Sequence, residues 1–150
     1  MPQMDLPRHL AHKPVFTLPY FNLDGPYARD TDCQFLSIGW AQYDAHDISA
    51  KTLRYPEQRW SRQSEALPLH RLADLATLLA LCLRDPGADA ISVPPGFFEN
   101  QPDEMTIERV ETGSLRREAF SRTLLCNDIL RRRLGKLADA LIELRSQNLI

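Results

Sequence analysis

The chain has 150 residues, 43% hydrophobic and 25% charged, with 18 basic against 20 acidic side chains and a formal net charge of −2. A chain of this length can bury enough surface in one core to fold without disulfides or a structural metal. It has no apolar run of the roughly 18–20 residues that cross a bilayer, and its near neutrality removes the whole-chain case for a nucleic-acid binder.

The neutrality hides a division. Residues 1–113 carry 10 basic and 16 acidic groups, and residues 114–150 carry 8 and 4, so the two parts stand at −6 and +4. Such a split marks either a basic docking face or C-terminal helices lying against an acidic body, and the second is the simpler expectation.

Residues 1–13 are polar and interrupted by proline, and read as a flexible arm ahead of a single domain over 14–150. Met1 to His12 holds no apolar stretch of the signal-peptide kind, which implies a cytoplasmic protein. His9 and His12 are three apart, but no cysteine accompanies them, so a zinc site is not expected. Val15, Phe16, Leu18, Tyr20 and Phe21 form an apolar stretch that Pro14 and Pro19 restrict to an edge strand. Asp24 to Asp32 then has the glycine, proline and aspartates of a loop. Asp24, Asp30 and Asp32 offer carboxylates to a hard cation, yet lack the spacing and the terminal glutamate of a calcium loop.

Three strand-like runs follow, over 36–43, 48–55 and 58–64, with Leu36, Ile38 and Trp40 alternating with small or polar residues. The short polar links between them predict an antiparallel meander. A helix opens at Pro68 and runs to Arg84, with leucines on so much of its circumference that it is expected to lie buried on the sheet. Ala90–Val93 reads as a short strand, and Met105–Val110 as a strand paired back on it or as a helical turn, the strand being the preferred reading. A helix begins after a Ser114 cap and another at Asn127-Asp128, where Leu130, Leu134, Leu137, Leu141 and Leu144 make one apolar seam. The seam packs on the same domain or on a partner. Its brevity favours the first, and the second would make a homodimer. The expected fold is α+β: an antiparallel meander of three or more strands packed on a buried central helix, with C-terminal helices. Cys33, Cys82 and Cys126 are too few and too scattered for a disulfide framework and read as buried thiols.

The densest polar stretch is Trp60-Ser61-Arg62-Gln63-Ser64-Glu65, which leads into His70 and Arg71 at the helix start. Lys51 and Arg54 lie on the preceding strand. Together with Arg62 and the free amides of a helix N-terminus they suggest an anion site, lined also by Tyr27, Asp30, Asp32, Gln63, Glu65, His70 and Arg71. The competing reading pairs Arg62 and Arg54 with Glu65, Asp30 or Asp32 in a structural salt-bridge network. A catalytic alternative uses His70 as base, Glu65 or Asp30 to orient it, and Ser61 or Ser64 as nucleophile. No nucleophile elbow, Walker A loop or dinucleotide fingerprint occurs, so neither those enzymes nor a cofactor is expected. Arg131, Arg132, Arg133 and Lys136 fan around their helix and carry no interleaved aromatics, which argues for a solvated or acid-paired face and against nucleic acid.

In the loop Asp24-Gly25-Pro26-Tyr27-Ala28-Arg29-Asp30-Thr31-Asp32, the strand Leu36 to Gln42, the run Asp47-Ile48-Ser49-Ala50-Lys51, and the run Arg59-Trp60-Ser61-Arg62-Gln63-Ser64-Glu65 continuing to Ala76, the chain resembles a family of small bacterial proteins classed as a domain of unknown function, over residues 12–80. The resemblance implies a bacterial cytoplasmic protein and adds no mechanism. The leading expectation is a non-catalytic binding protein for a partner protein or a small anionic ligand. The alternatives are a hydrolase or transferase built on His70, and a protein that self-associates through the Leu130–Leu144 seam.

Overall fold

A computed structural model describes residues 5–7, 11–60, 66–111 and 113–150. The strands are β1 (Lys13–Pro19), β2 (Cys33–Trp40), β3 (Ile48–Arg54), β4 (Ala90–Val93) and β5 (Met105–Arg109), and the helices are α1 (Leu69–Arg84), α2 (Ser114–Leu125) and α3 (Asp128–Ser146). The strands form one sheet in the order β3-β2-β1-β5-β4, with every neighbouring pair antiparallel. The fold is therefore α+β, with the meander β1-β2-β3 as its first half.

The prolines mislead about β1, which is the middle strand and not an edge. Both fall where a missing N–H is harmless. Pro14 lies at an irregularity in the β1/β2 register, Pro19 ends the strand, and β5 pairs only with Phe16 and Thr17 between them. The run read as a third strand over 58–64 differs too. Pro56–Gln58 is a single tight turn in which Glu57 and Gln58 take positive φ of 50° and 61°, and residues 61–65 lie outside the described part.

β2 is buried on both faces, where alternation suggested one. Leu36, Ile38 and Trp40 join the main core with Phe16, Leu18, Ile107 and Val93. On the opposite face Phe35 packs with Leu53, Leu6 and Trp60. Gly39 sits where β1 crosses so closely that an added Cβ would stand 2.1 Å from the Lys13 carbonyl oxygen.

From α1, Leu75, Leu78, Leu81 and Cys82 enter the main core, and α2 adds Phe120 and Leu124. The β4–β5 connection is organised by buried Gln101. Its side-chain amide donates to the carbonyls of Pro94 and Asp103 at 3.0 Å and accepts from the Phe98 amide at 2.9 Å. Arg109 on β5 lies over the rings of Phe16 and Phe120, at 4.8 and 5.5 Å from their centres, and donates to the Ala88 and Pro86 carbonyls. It thereby ties the sheet to the α1–β4 turn.

Two expectations for the C-terminus change. Gly113, not Ser114, occupies the cap position of α2, and Ser114 is its first helical residue. The leucine seam of α3 does not complete the core: no residue of this 19-residue helix is buried, and only Leu130 packs at the core's margin. Asn127 starts α3 as expected, its side-chain oxygen accepting from the Leu130 amide at 2.9 Å. Cys33 and Cys82 are buried thiols, whereas Cys126 is exposed.

Candidate functional site

The polar residues gather where the β1–β2 loop meets the first turn of α1. Tyr20 leaves β1 buried, Leu23 anchors the loop in the core, and Asp24 precedes a tight turn over Gly25–Tyr27. Because α1 begins at Leu69 on Pro68, His70 and Arg71 project from its first turn toward this loop.

The fully buried Asp24 carboxylate is the hub. It accepts from Arg71 Nη2 at 2.6 Å and Nε at 3.3 Å, and from His70 Nε2 at 2.8 Å. Burial alone would push the Asp24 carboxyl up, but hydrogen bonds from Arg71, Thr31 and His70 and the Arg71 charge outweigh it and hold the group below the usual carboxylate range. Gly25, at φ +50°, makes room for His70, since an added Cβ would meet that ring at 3.0 Å. Tyr27 flanks the same imidazole with ring centres 5.8 Å apart, and Asn100 Nδ2 donates to the Gly25 carbonyl at 3.2 Å.

One turn further along α1, the Tyr20 hydroxyl donates to Asp74 Oδ2 at 2.5 Å. Burial raises the Asp74 carboxyl against the opposing effect of this bond, and burial with the Asp74 contact pushes the Tyr20 phenol well above its ordinary value. Two polar bridges thus lock the loop to α1.

Asp32 and Arg54 form a separate pair near the outer end of β2 and β3. Arg54 Nε and Nη2 donate to the two Asp32 oxygens at 2.9 and 2.6 Å. For Arg54 this is the salt-bridge arrangement that competes with an open anion site. Lys51 stands apart, donating to Gln42 Oε1 at 3.2 Å, with its ammonium lowered by partial burial. Asp30 is exposed on the loop. Ser61, Arg62, Gln63, Ser64 and Glu65 lie outside the described residues. Of the expected lining, Tyr27, His70 and Arg71 come together around Asp24, while Asp32 and Arg54 form their own pair. Neither Asp24 nor Asp32 stands free for a hard cation, because each already faces an arginine. Among the described residues no cluster of three or more metal-ligating side chains forms.

The sequence reading passed over Tyr20, Asp74 and Asn100, and it placed Asp24 only in a cation loop. Nothing in local spacing joins positions so distant; only the docking of α1 does. His12, weighed in the sequence only as a zinc partner of His9, is buried between two serines. His12 Nδ1 and Nε2 each lie 3.0 Å from a hydroxyl, Ser49 and Ser37 respectively. Both ring nitrogens are engaged, so His12 is not disposed to bind zinc with His9, itself outside the described residues.

The cluster has limited chemical reach. With Nε2 held by Asp24, His70 keeps only Nδ1 for another partner, and the Asp24 charge is already balanced by Arg71. Large apolar side chains are exposed on the same elements: Leu69 is 82% exposed and Leu72 55%, and the exposed Tyr27 lies beside His70. Further along the chain, α3 exposes Leu137 and Leu141 at 44% each.

Fold and surface together define an α+β protein with a five-stranded antiparallel sheet, a rigid polar corner and uncovered helical faces. The chain belongs to the DUF6530 family of unknown function, which matches over residues 4–146 and so takes in both C-terminal helices. No curated protein and no solved structure matches it. Among the described residues no helix is long and apolar enough to cross a membrane.

Proposed function

We propose that the chain is a non-catalytic interaction protein of the cytoplasm that binds a protein partner through its helices. One observation carries this reading: α3 runs for 19 residues with a continuous leucine row and buries none of them. Amphipathic helices in proteins owe most of their stability to packing of the apolar face. The row therefore implies a covering surface. A small anion is the weaker ligand, since Arg54 and Arg71 already donate to Asp32 and Asp24. Three scattered cysteines without a disulfide framework suit a reducing compartment.

The test replaces Leu137 and Leu141 by aspartate in the intact chain. Both are partly exposed, so the melting temperature of the sheet domain is expected to hold. Amide exchange in α3, compared between concentrated and dilute wild-type protein and in the presence of candidate partners, is expected to show protection that the double variant loses. A large drop in melting temperature on substitution would mean that the row belongs to the chain's own core, against this reading.

A further inference from the structure

We propose that the partner covering α3 is a second copy of this chain, with the α3 row of each copy laid on the outer face of α1 of the other. This rests on the interaction reading above and adds the identity of the partner and its docking face.

The first support is that both halves of such an interface are present on one chain. On an α-helix, Leu69, Leu72, Ala73, Ala76, Ala80 and Leu83 fall within an arc of about 100° opposite the buried Leu75, Leu78 and Cys82, with Leu83 at its far end packed against the core. Leu69, Leu72, Ala73 and Ala80 are exposed and the arc holds no charged side chain. On α3 the five leucines from Leu130 to Leu144 fall within about 80°. The two rows are of similar length, about 17 Å from Leu69 to Ala80 and about 21 Å from Leu130 to Leu144. A leucine row facing an alanine-rich one allows close approach, with large side chains entering the gaps between small ones.

Charge selects this pairing over two copies of α3 facing each other. The chain through α2, whose Phe120 and Leu124 sit in its own core, stands at −4, and the part from Cys126 onward, which carries α3, at +2. Laying one copy's basic arm on the other's acidic body pairs opposite signs. Two α3 rows in antiparallel contact would set Arg145 toward Arg131 of the second copy, and in parallel contact they would bring two acidic bodies to the same end. The ion pairs among the described residues join the body to itself and to α2, and none uses the Arg131, Arg132, Arg133, Lys136 group of α3. Exchange of arms about a two-fold axis gives a closed dimer, since each copy supplies one α1 face and one α3 row.

The experiment measures mass by light scattering for the wild type, Leu72→Asp, Leu141→Asp, and an equimolar mixture of the two variants, with circular dichroism confirming each fold. The expected wild-type mass is twice 17.2 kDa. Each single variant is expected at 17.2 kDa or with a dimer dissociation constant raised at least tenfold. The mixture is expected to recover part of the dimer, because one of its two arm contacts is intact. A dimer broken by Leu141→Asp but untouched by Leu72→Asp would overturn the α1 docking face in favour of paired α3 rows. A wild-type monomer whose α3 amides exchange freely would overturn the second copy and leave the interaction reading standing. A monomer with α3 protected as strongly as the core would overturn both.

Discussion

The Asp24 carboxylate, with no solvent exposure, faces the guanidinium of Arg71 across 46 intervening residues, accepting from Nη2 at 2.6 Å and Nε at 3.3 Å. Removing one partner from such a pair leaves a buried charge unanswered, which costs about 3–5 kcal/mol. Arg71→Ala is therefore expected to lower unfolding free energy by about that amount in urea titration, and Asp24→Asn combined with Arg71→Gln by less. A loss below about 1 kcal/mol for the single change would show that the pair does not hold the loop on α1. The pair also acts on acid stability. Asp24 titrates below its ordinary value in the folded state, so its contribution is present above the unfolded pKa and disappears as pH falls through the folded one.

His12 governs a higher pH range. Burial, aided by the Lys51 charge, takes its imidazole from 6.5 down to about 4, and the neutral ring is the form that can both donate to and accept from Ser37 and Ser49. The folded chain thus binds fewer protons than the unfolded one between those values. Its contribution is full above 6.5 and is lost progressively as pH falls toward 4, a change of about 3 kcal/mol. Urea unfolding at successive pH values should show this slope in the wild type. In His12→Asn the slope between 6.5 and 4 should flatten while the acid loss from Asp24 remains below it. An unchanged slope would mean that another group titrates there.

Much of the architecture was readable because local pattern and fold agree. The alternating part of β2, the α1 span and the start of α3 at Asn127 all follow from periodicity and end signals in a short window. β1 was misplaced because proline reports only on its own backbone, whereas centrality is set by which residues between the prolines pair on both sides. The site was half legible for a similar reason. Tyr27, His70 and Arg71 advertise themselves by type, but Asp24, Tyr20 and Asp74 acquire their roles only when α1 settles on the β1–β2 loop. The arginines suggested an open cationic site, because sequence displays charges and conceals the carboxylates that answer them.

The β1–β2 crossing supplies a sharper test of the central strand. At Gly39 an added Cβ would lie 2.1 Å from the Lys13 carbonyl oxygen and 2.8 Å from Pro14 Cα, both backbone atoms that cannot swing aside. Gly39→Ala should therefore force the strands apart and cost about 3 kcal/mol or more, above the usual range for one added methyl. Thermal unfolding measures it. A variant as stable as the wild type would mean that β1 does not approach β2 at this point.

Gly135 makes the opposite case. It lies inside α3 with nothing within 4 Å of where a Cβ would stand, so alanine meets no obstacle. Glycine in a helix interior is less favourable than alanine by roughly 0.5–1 kcal/mol, because its backbone loses more freedom on ordering. On the helix it falls about 140° from Leu130, away from the leucine row, so the change leaves the docking face intact. Gly135→Ala is expected to slow amide exchange across α3 by roughly two- to fivefold, through local opening alone. If the arms are exchanged between copies, the same substitution should also strengthen the dimer, because a pre-formed helix gives up less entropy on docking. Exchange unchanged by the substitution would show that α3 is already held by packing stronger than its own helical propensity, as a core helix would be.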